Sequence, residues 1–150
     1  MIQTLADFDE WANNRVLASL RDLPDQNSRA LQLMALLLTA QEIWLLRLSG
    51  KDTVGMDKSP ELSLEQCELL AKNNQRALSQ LLGRVNQEGL NSMVAYKNLS
   101  GKEFTTSMID ILTHIAIHGT YHRGQIALTL RAGGATPVNT DFISFVRETA

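Results

Sequence analysis

The sequence has little of several features that define specialised protein classes. It contains one cysteine, Cys67, which excludes an internal disulfide and agrees with a reducing compartment. Charged residues make up only 20% of the chain and the formal net charge is -2, so no basic field exists to gather phosphates or an anionic membrane. We therefore expect neither nucleic acid nor a membrane among the partners of this protein.

Long apolar runs and a secretory leader are also missing. No uninterrupted apolar run approaches the roughly 18 residues that span a bilayer, and the first residues, MIQTLADFDEW, are acidic where a signal peptide is basic and then apolar. We expect a soluble, cytoplasmic protein. A chain of 150 residues fits one domain, which we place at residues 1–150.

Apolar residues recur every three to four positions in four long segments, which predicts four helices. These segments are residues 4–23, 28–48, 63–88 and 106–131. Because the second segment carries leucines on all its faces, we expect it to be deeply buried. Each helix must bury its apolar stripe against another, so the sequence predicts an all-α four-helix bundle.

The segments between the predicted helices are long for a simple bundle. Residues 51–61 contain glycine and proline but no period, which indicates a loop. Residues 91–105 are either a β-hairpin or a long loop, and residues 141–147 are one or two turns of a short C-terminal helix. Connections of this length can carry crossovers between helices or line a site.

All three histidines of the chain lie on one stripe of the last long helix, at His114, His118 and His122. Positions four apart in a helix are turned by about 40° and raised by about 6 Å, so two neighbouring imidazoles can aim their nitrogens at one ion. His114 and His122 lie about 12 Å apart along the axis and cannot share an ion bound at about 2.0–2.1 Å. One helix therefore offers two metal ligands, and the others must come from another helix, from the loops or from water.

Several residues near this stripe have an ordinary structural interpretation. Gly119 and Gly124 each cost about 1 kcal/mol relative to alanine inside a helix, which indicates close packing in the bundle or across a dimer. We interpret Arg47 and Arg123 as surface or capping residues, although either could bind an anionic substrate.

Three further residues are expected to belong to the core. Cys67 falls on the apolar stripe of the third helix, which indicates a buried thiol and not a nucleophile. Trp11 and Trp44 are interpreted as core anchors.

Residues 118–126 read HGTYHRGQI, and this segment resembles the signature of the DinB family, four-helix-bundle proteins described as metal-dependent enzymes. Shorter pieces lie where that family has similar ones. They are WANNRVL at 11–17, EIWLLRLSG at 42–50, the SG turn at 100–101 and DFISF at 141–145. The resemblance thus spans nearly the whole chain, and its most specific part is the segment with two histidines.

The resemblance implies an up-and-down-type bundle with a long crossover, often a homodimer, which holds a divalent zinc- or nickel-type ion by three histidines. His118 and His122 match two of these ligands. The third family histidine falls at Leu36, eight residues before Trp44, and leucine cannot ligate a metal. The resemblance therefore implies a metal site that is incomplete in this chain.

Two neighbouring positions add to that departure. Glu42 is the nearest carboxylate on the second helix, but it lies six residues from Leu36 and is turned by about 240°, onto a different face. Ile117 stands where the family tends to have an asparagine. We expect no replacement ligand from Glu42.

Two functions remain open on the sequence. The first is a metal-dependent enzyme that acts on a small molecule by hydrolase-like or thiol-transferase-like chemistry, with His118 and His122 as ligands and His114 or Tyr121 as the acid or base. The second is a non-catalytic binding or dimerisation bundle with a decayed site, in which the two histidines form hydrogen bonds with Tyr121 and Gln125.

Overall fold

A computed structural model describes residues 1–25 and 28–150 of the chain. Its elements in chain order are α1 (Ile2–Arg21), α2 (Arg29–Leu48), α3 (Leu64–Arg84), α4 (Gln87–Leu90), β1 (Met93–Lys97), β2 (Glu103–Ser107), α5 (Met108–Ala132) and α6 (Phe142–Glu148). The four long helices and the short C-terminal helix confirm the predicted all-α bundle. The single small sheet of the described residues is an antiparallel hairpin in one of the long connections.

Serine hydroxyls fix where three of the long helices begin. Ser28 accepts a hydrogen bond from the Leu31 amide at the start of α2, and Ser107 accepts one from the Asp110 amide at the start of α5. At α3 the Ser63 hydroxyl accepts from the Gln66 amide while the Gln66 side chain accepts from the Ser63 amide. This reciprocal pair is a capping box, which satisfies two backbone amides at the start of the helix.

Two helix ends differ from the sequence prediction. The first helix ends at Arg21 and not at residue 23. The third was predicted to reach residue 88, but Val85 is extended, at φ -89° and ψ 140°, and the Asn86 side chain caps the separate helix α4. A continuous apolar pattern conceals this break because α4 resumes the helical period two residues later.

The ambiguous segment 91–105 is a hairpin that runs on to residue 107. Tyr96 pairs with Phe104 and Val94 with Thr106, and Gly101 adopts a φ of 93° at the turn, a conformation that favours glycine. The hairpin lies against the crossover loop, where the Gly55 amide donates to the Leu99 carbonyl.

The direction of the helices shows which connection is the crossover. Arg21 at the end of α1 pairs with Glu68 near the start of α3, so α1 and α3 run antiparallel. Asp9 and Gln41 are hydrogen-bonded near the opposite ends of α1 and α2, so α1 and α2 are antiparallel as well. Helices α2 and α3 are therefore parallel. The connection of residues 49–63 crosses the length of the bundle, as the resemblance implies.

Three apolar clusters fill the described part of the bundle, and the smallest joins Phe8 and Ala12 of α1 to Phe145 of α6, with Trp11 packed against it. One of the two larger clusters gathers residues such as Met34, Leu38 and Cys67, all fully buried, with the C-terminal part of α5. The other surrounds Leu45 and Ile111 at the opposite end. Cys67 is buried as predicted, and burial raises the pKa of its thiol to about 11.

Helix α2 is the central element of this core. By length and composition alone it is the one helix of the described residues that could cross a bilayer. Most of its residues are buried against the other helices, which confirms the deep burial predicted from its leucines, and a core helix of this kind passes the same test. We therefore describe α2 as the core helix of the bundle.

Candidate metal centre

The two C-terminal histidines of the stripe face each other. The Nε2 atoms of His118 and His122 are 3.2 Å apart, with ring planes at 73°. Two nitrogens at this separation, each about 2.05 Å from one ion, would subtend an angle of about 100° at it, near the tetrahedral value. The described side chains therefore have the spacing that two ligands of a zinc-type ion require.

A neighbouring glutamine fixes the tautomer of one of these rings. The Nδ1 of His122 lies 3.0 Å from Oε1 of Gln125, whose amide nitrogen points to Tyr121 Oη at 3.4 Å. Because Oε1 accepts, His122 carries its proton on Nδ1 and its Nε2 has a free lone pair. Nε2 of His118 then donates to it, and His118 must move its own proton to Nδ1 before its Nε2 can bind a metal.

The electrostatic surroundings favour neutral imidazoles. Burial lowers the pKa of His118, and the neighbouring His122 and His114 lower it further. Burial also lowers the pKa of His114. Neutral imidazole is the form that binds metal, and these shifts favour that form for His118 and His114.

His114 lies outside this pair, as the helical spacing predicts. Its ring stacks on His118 with centroids 5.0 Å apart and meets Trp44 of α2 edge-on at 5.3 Å. Trp44 in turn contacts Tyr96 of the hairpin at 5.3 Å. The structure thus places His114 beside the candidate ligands, between them and a half-buried aromatic wall, rather than among them.

Tyr121 lies on the opposite, solvent side of the pair. Its ring is 62% exposed and lies parallel to that of His118, with centroids 6.4 Å apart. The hydroxyl is held only by the long contact with Gln125. All four residues predicted for the site are therefore neighbours on one helix.

No third ligand joins the two histidines. Among residues 1–25 and 28–150, no three His, Cys, Asp or Glu side chains form a group that could hold a metal. Trp44 contacts His114 and Gln41 lies beside Gly119, so α2 and α5 run antiparallel. Leu36, eight residues before Trp44, therefore lies at about the level of His122, eight residues after His114. The pair thus fits an ion as two of its ligands, and the full family set of three is not present.

Leu36 itself is half-buried beside a cavity that none of the histidines lines. The cavity has a volume of about 480 Å³ and lies between α2 and the crossover loop, bordered by Arg29, Gln32 and residues 59–62. Glu42 is half-buried on another face and makes no ion pair within the described parts of the chain.

Arg123 follows the pair in sequence but points to the other side of α5. It is buried, not a surface or capping residue as predicted, and its Nη1 contacts Asp9 Oδ1 at 2.7 Å and Asn13 Oδ1 at 2.7 Å. Gln41 of α2 donates to the second oxygen of Asp9 at 2.6 Å. This buried ion-pair cluster, Asp9, Asn13, Gln41 and Arg123, joins three helices, and only Nε of Arg123 in it has no partner among the described atoms.

The interpretation of Arg47 as a surface or capping residue is also wrong. Arg47 is buried, its Nε donates to Thr53 Oγ1 at 3.0 Å, and its guanidinium lies over the rings of Trp44 and Tyr96. Burial lowers the pKa of this arginine. Arg47 therefore attaches the start of the crossover and the hairpin to α2, next to the aromatic wall of the site.

The two glycines of the signature segment have different roles. A Cβ at Gly119 would clash with Asp9 Oδ1 and lie 3.0 Å from Arg123 Nη1, so this glycine makes room for the buried ion pair. A Cβ at Gly124 would meet nothing within 4 Å, and the residue is exposed. Close packing inside the bundle thus explains Gly119 and leaves Gly124 unexplained by the single chain.

Sequence reasoning missed three members of the buried cluster, namely Asp9, Asn13 and Gln41. A signal existed for two of them. Asp9 and Asn13 are one turn apart and fall within the arc that the apolar residues of α1 span, where an isolated carboxylate would be costly without a partner. Their position predicts a buried partner, although it does not identify Arg123.

Comparisons with known proteins agree with this fold. The model of the DinB family matches residues 3–149. The protein DinB of Bacillus subtilis (strain 168) is 24% identical over 157 residues, which cover 92% of this chain and 89% of that protein. The crystal structure of a DinB-like protein from Bacillus cereus ATCC 10987 superposes with a TM-score of 0.55 at 16% identity, covering 91% of each chain.

The family match covers almost all of the chain, including both histidines of the pair, and the solved structure shows the same fold. The chain therefore belongs to the DinB family.

Proposed function

We propose that this protein is a metal-dependent enzyme acting on a small molecule, with a divalent zinc- or nickel-type ion held by His118 and His122. The observation that carries the proposal is the 3.2 Å separation of the two Nε2 atoms on one face of α5. Gln125 supports it, because a hydrogen bond to the remote ring nitrogen is what orients a metal-binding imidazole in most sites. Nitrogen ligands suit zinc and nickel better than they suit magnesium or calcium.

Such an ion, when bound, brings the pKa of a coordinated water toward about 7 or activates a thiolate. The chain's own residues supply the proton chemistry. Burial lowers the pKa of His114 and so favours its neutral form, which can accept a proton beside the pair. Tyr121 Oη can donate one from the solvent side, and Trp44 forms an apolar wall for the substrate. Hydrolase-like and thiol-transferase-like reactions both fit this arrangement.

The missing ligand has a predictable consequence. With two protein ligands, two or more positions of a four-coordinate ion are left for water and substrate, and the ion is held less tightly than by three histidines. We expect the metal to exchange with solution during purification unless it is supplied.

A non-catalytic bundle is the second candidate, and one observation favours it. Each imidazole of the pair already has a hydrogen-bond partner within the protein, and the described residues offer no third ligand group. In that case His118, His122 and Gln125 form a polar seam, and the role of the chain is binding or dimerisation.

Metal analysis of protein purified without a histidine tag separates the two candidates. After equilibrium dialysis against a slight excess of zinc or nickel, we expect close to one bound ion per chain, lost in a folded His122→Ala variant. His114→Ala is the matched control, because it removes a histidine one turn from the pair and should retain the ion. Metal that is absent after reconstitution, or equally retained by His122→Ala, would support the non-catalytic bundle instead.

The remaining parts of the proposal concern where and with whom the protein acts. We propose that it works in the cytoplasm, as a homodimer, without nucleic acid or membrane partners. The low charge of the chain supports the last point, because phosphate binding by a basic surface requires an excess of lysine and arginine that this chain does not have.

A further inference from the structure

A cleft with a volume of about 430 Å³ lies where the hairpin meets the start of the crossover. It is lined by residues 50–52, 95–97 and 103–105, and we call it the hairpin cleft. None of the three histidines borders it. Small-molecule sites in proteins usually have volumes of about 300–1,000 Å³, so the cleft is large enough for a ligand of its own.

Two aromatic rings belong to the lining of the hairpin cleft. Tyr96 and Phe104 are a cross-strand pair, and their rings are stacked with centroids 5.9 Å apart and planes at 21°. Phe104 is 39% exposed, and the ammonium group of Lys102 lies over its ring, 5.2 Å from the centroid. A lysine side chain is flexible and well hydrated, so it is easily displaced. The ring of Phe104 is therefore available to stack on a planar ligand.

A buried arginine without a counter-charge lies beside the hairpin cleft. Arg47 is 6% exposed, and its guanidinium lies over the ring of Tyr96, 5.4 Å from the centroid. Its Nε donates to Thr53, which directly follows the lining residues 50–52. Within the described residues no carboxylate pairs with Arg47, and neither Nη atom is hydrogen-bonded. Neither Nη is sealed from solvent, so both remain accessible to an acceptor from outside the chain.

Basic side chains outnumber acidic ones at the hairpin cleft, although the whole chain has a net charge of -2. The charged residues that line the cleft or contact its aromatic rings are Arg47, Lys51, Asp52, Lys97, Lys102 and Glu103. None of these four basic and two acidic residues is in an ion pair with a described residue. One oxygen of Asp52 also accepts from the Val54 amide. A local excess of this size suits a ligand with one acidic group and not a polyanion.

We propose that the hairpin cleft binds a small planar aromatic carboxylate, whose ring stacks on Phe104 and whose acidic group accepts hydrogen bonds from Arg47. The planar guanidinium suits this role because its parallel donors match the two oxygens of a carboxylate. Lys51 and Lys97 add positive charge at the lining. This site goes beyond the metal-dependent activity and does not rest on it.

Ring contacts connect the hairpin cleft with the histidine stripe. Tyr96 meets Trp44 edge-on with centroids 5.3 Å apart, and Trp44 meets His114 at the same distance. Arg47 lies over the rings of both Tyr96 and Trp44. The cleft and the histidine stripe are therefore separate sites that share Trp44 as a neighbour.

Titration of the isotope-labelled protein with naphthoate, followed by its amide chemical shifts, tests the site. We expect a dissociation constant of about 1 mM or lower, with shift changes centred on residues 50–52 and on the hairpin. Naphthamide has the same ring without the charge, and decahydronaphthoate has the charge without an aromatic ring. Each should bind at least about fivefold more weakly than naphthoate.

Substitution of the exposed ring tests the stacking contact. Phe104→Ala should weaken naphthoate binding about three- to tenfold, because it removes the ring on which the ligand stacks. Met93→Ala is the matched control, since Met93 is 62% exposed on the same hairpin and does not line the cleft. Equal binding by the two variants would overturn the stacking role of Phe104.

Two substitutions test the positive charge. Arg47→Met keeps an unbranched apolar stem but removes the guanidinium, and it should weaken naphthoate binding at least about tenfold. Because loss of Arg47 also removes its contacts with the hairpin, a double variant at exposed positions, Lys51→Gln with Lys97→Gln, provides a test that leaves the fold intact. It should weaken binding about threefold, whereas Lys58→Gln, outside the cleft, should not.

Three results would overturn the proposal. They are no shift change up to about 5 mM naphthoate, shift changes centred away from the hairpin, and equal affinity for naphthoate and naphthamide. All titrations use protein without added metal, so failure of the cleft to bind naphthoate would leave the proposed metal centre untouched. Failure of the histidines to bind zinc would equally leave the cleft untouched.

Discussion

Helix α5 contributes adjacent residues, His122 and Arg123, to two polar clusters that differ in burial and in how fully their polar atoms are paired. Arg123 turns toward α1 and joins the buried ion-pair cluster, in which its guanidinium donates to the Asp9 carboxylate and the Asn13 amide oxygen, and also to the Thr120 hydroxyl. His122, one residue earlier, turns toward α2 and meets His118 in a partly exposed pair. In the first cluster nearly every polar atom is paired and buried, whereas in the second only His122 is buried, and His118 and the neighbouring Tyr121 are partly or largely exposed.

The difference indicates that the ion-pair cluster holds the helices together, whereas the histidine pair is not needed for their packing. A fully buried ion pair must be satisfied by its neighbours, because an uncompensated buried charge costs several kcal/mol. Its partners therefore come from three helices and fix how these helices pack. The histidine pair makes its hydrogen bonds within α5 alone, to Gln125 and between the two rings, so it does not fix how the helices pack.

The largest effect should follow from breaking the ion-pair cluster. Asp9→Ala leaves Arg123 buried beside an empty site and should lower the free energy of unfolding by about 3–5 kcal/mol, measured by urea denaturation. Removing both charges as Asp9→Leu with Arg123→Met should recover most of that loss. The exposed pair of Arg15 and Glu148 is the control, and Glu148→Ala should cost less than about 1 kcal/mol.

The two glycines give the next largest contrast, with opposite signs. Gly119→Ala places a methyl group against Asp9 Oδ1 and should destabilise the protein by about 2 kcal/mol, because overpacking outweighs the gain in helix propensity. Gly124→Ala meets open space and should stabilise it by about 0.5–1 kcal/mol. Equal effects in thermal denaturation would show that Gly119 makes no room for the cluster.

One substitution should add a third imidazole to the pair of His118 and His122. Leu36 lies level with His122, so Leu36→His should supply a third imidazole and tighten zinc binding at least tenfold, which corresponds to about 1.4 kcal/mol. Calorimetric titration of metal-free protein measures this change. Leu36→Gln is the matched control, because it adds polarity at the same position without a good ligand, and equal tightening by both variants would contradict the assigned level of Leu36.

The smallest effect concerns pH. The pKa of His118 is lowered from an ordinary value of 6.5, so the unfolded state takes up its proton first as the pH falls. The stability that neutral His118 contributes is therefore present above about pH 6.5 and is lost below it. In metal-free protein we expect the urea midpoint to fall between pH 7 and pH 5.5, and less so in His118→Gln. An identical pH dependence in the variant would assign the effect to other groups.

The histidine pair was easier to predict from the sequence than the buried ion-pair cluster, because its two residues are close together in the chain. His118 and His122 lie on one helix, four residues apart, and helical geometry alone brings their rings together. Asp9 and Arg123 are separated by 114 positions and meet only because α1 and α5 pack side by side. An arginine between histidine and glycine gives no local sign of such a partner, which is why its burial was missed.

The same distinction holds for the fold. Helical periods predicted the four long helices, but the short break at Val85 leaves the apolar pattern intact and was not visible in it. The hairpin remained undecided because Val94 and Tyr96 are only half-buried against the bundle, which weakens the alternation that marks a strand. The absence of a third ligand at Leu36, by contrast, was clear from the residue type itself.

The most direct test of the metal centre is an anomalous-scattering map at the zinc edge from crystals grown with zinc. The geometry of the pair predicts one peak about 2.0–2.1 Å from Nε2 of both His118 and His122, with Gln125 still bonded to the far nitrogen of His122. A map without a peak at this position, in which the two imidazoles remain hydrogen-bonded to each other, would contradict the assignment of the pair as metal ligands.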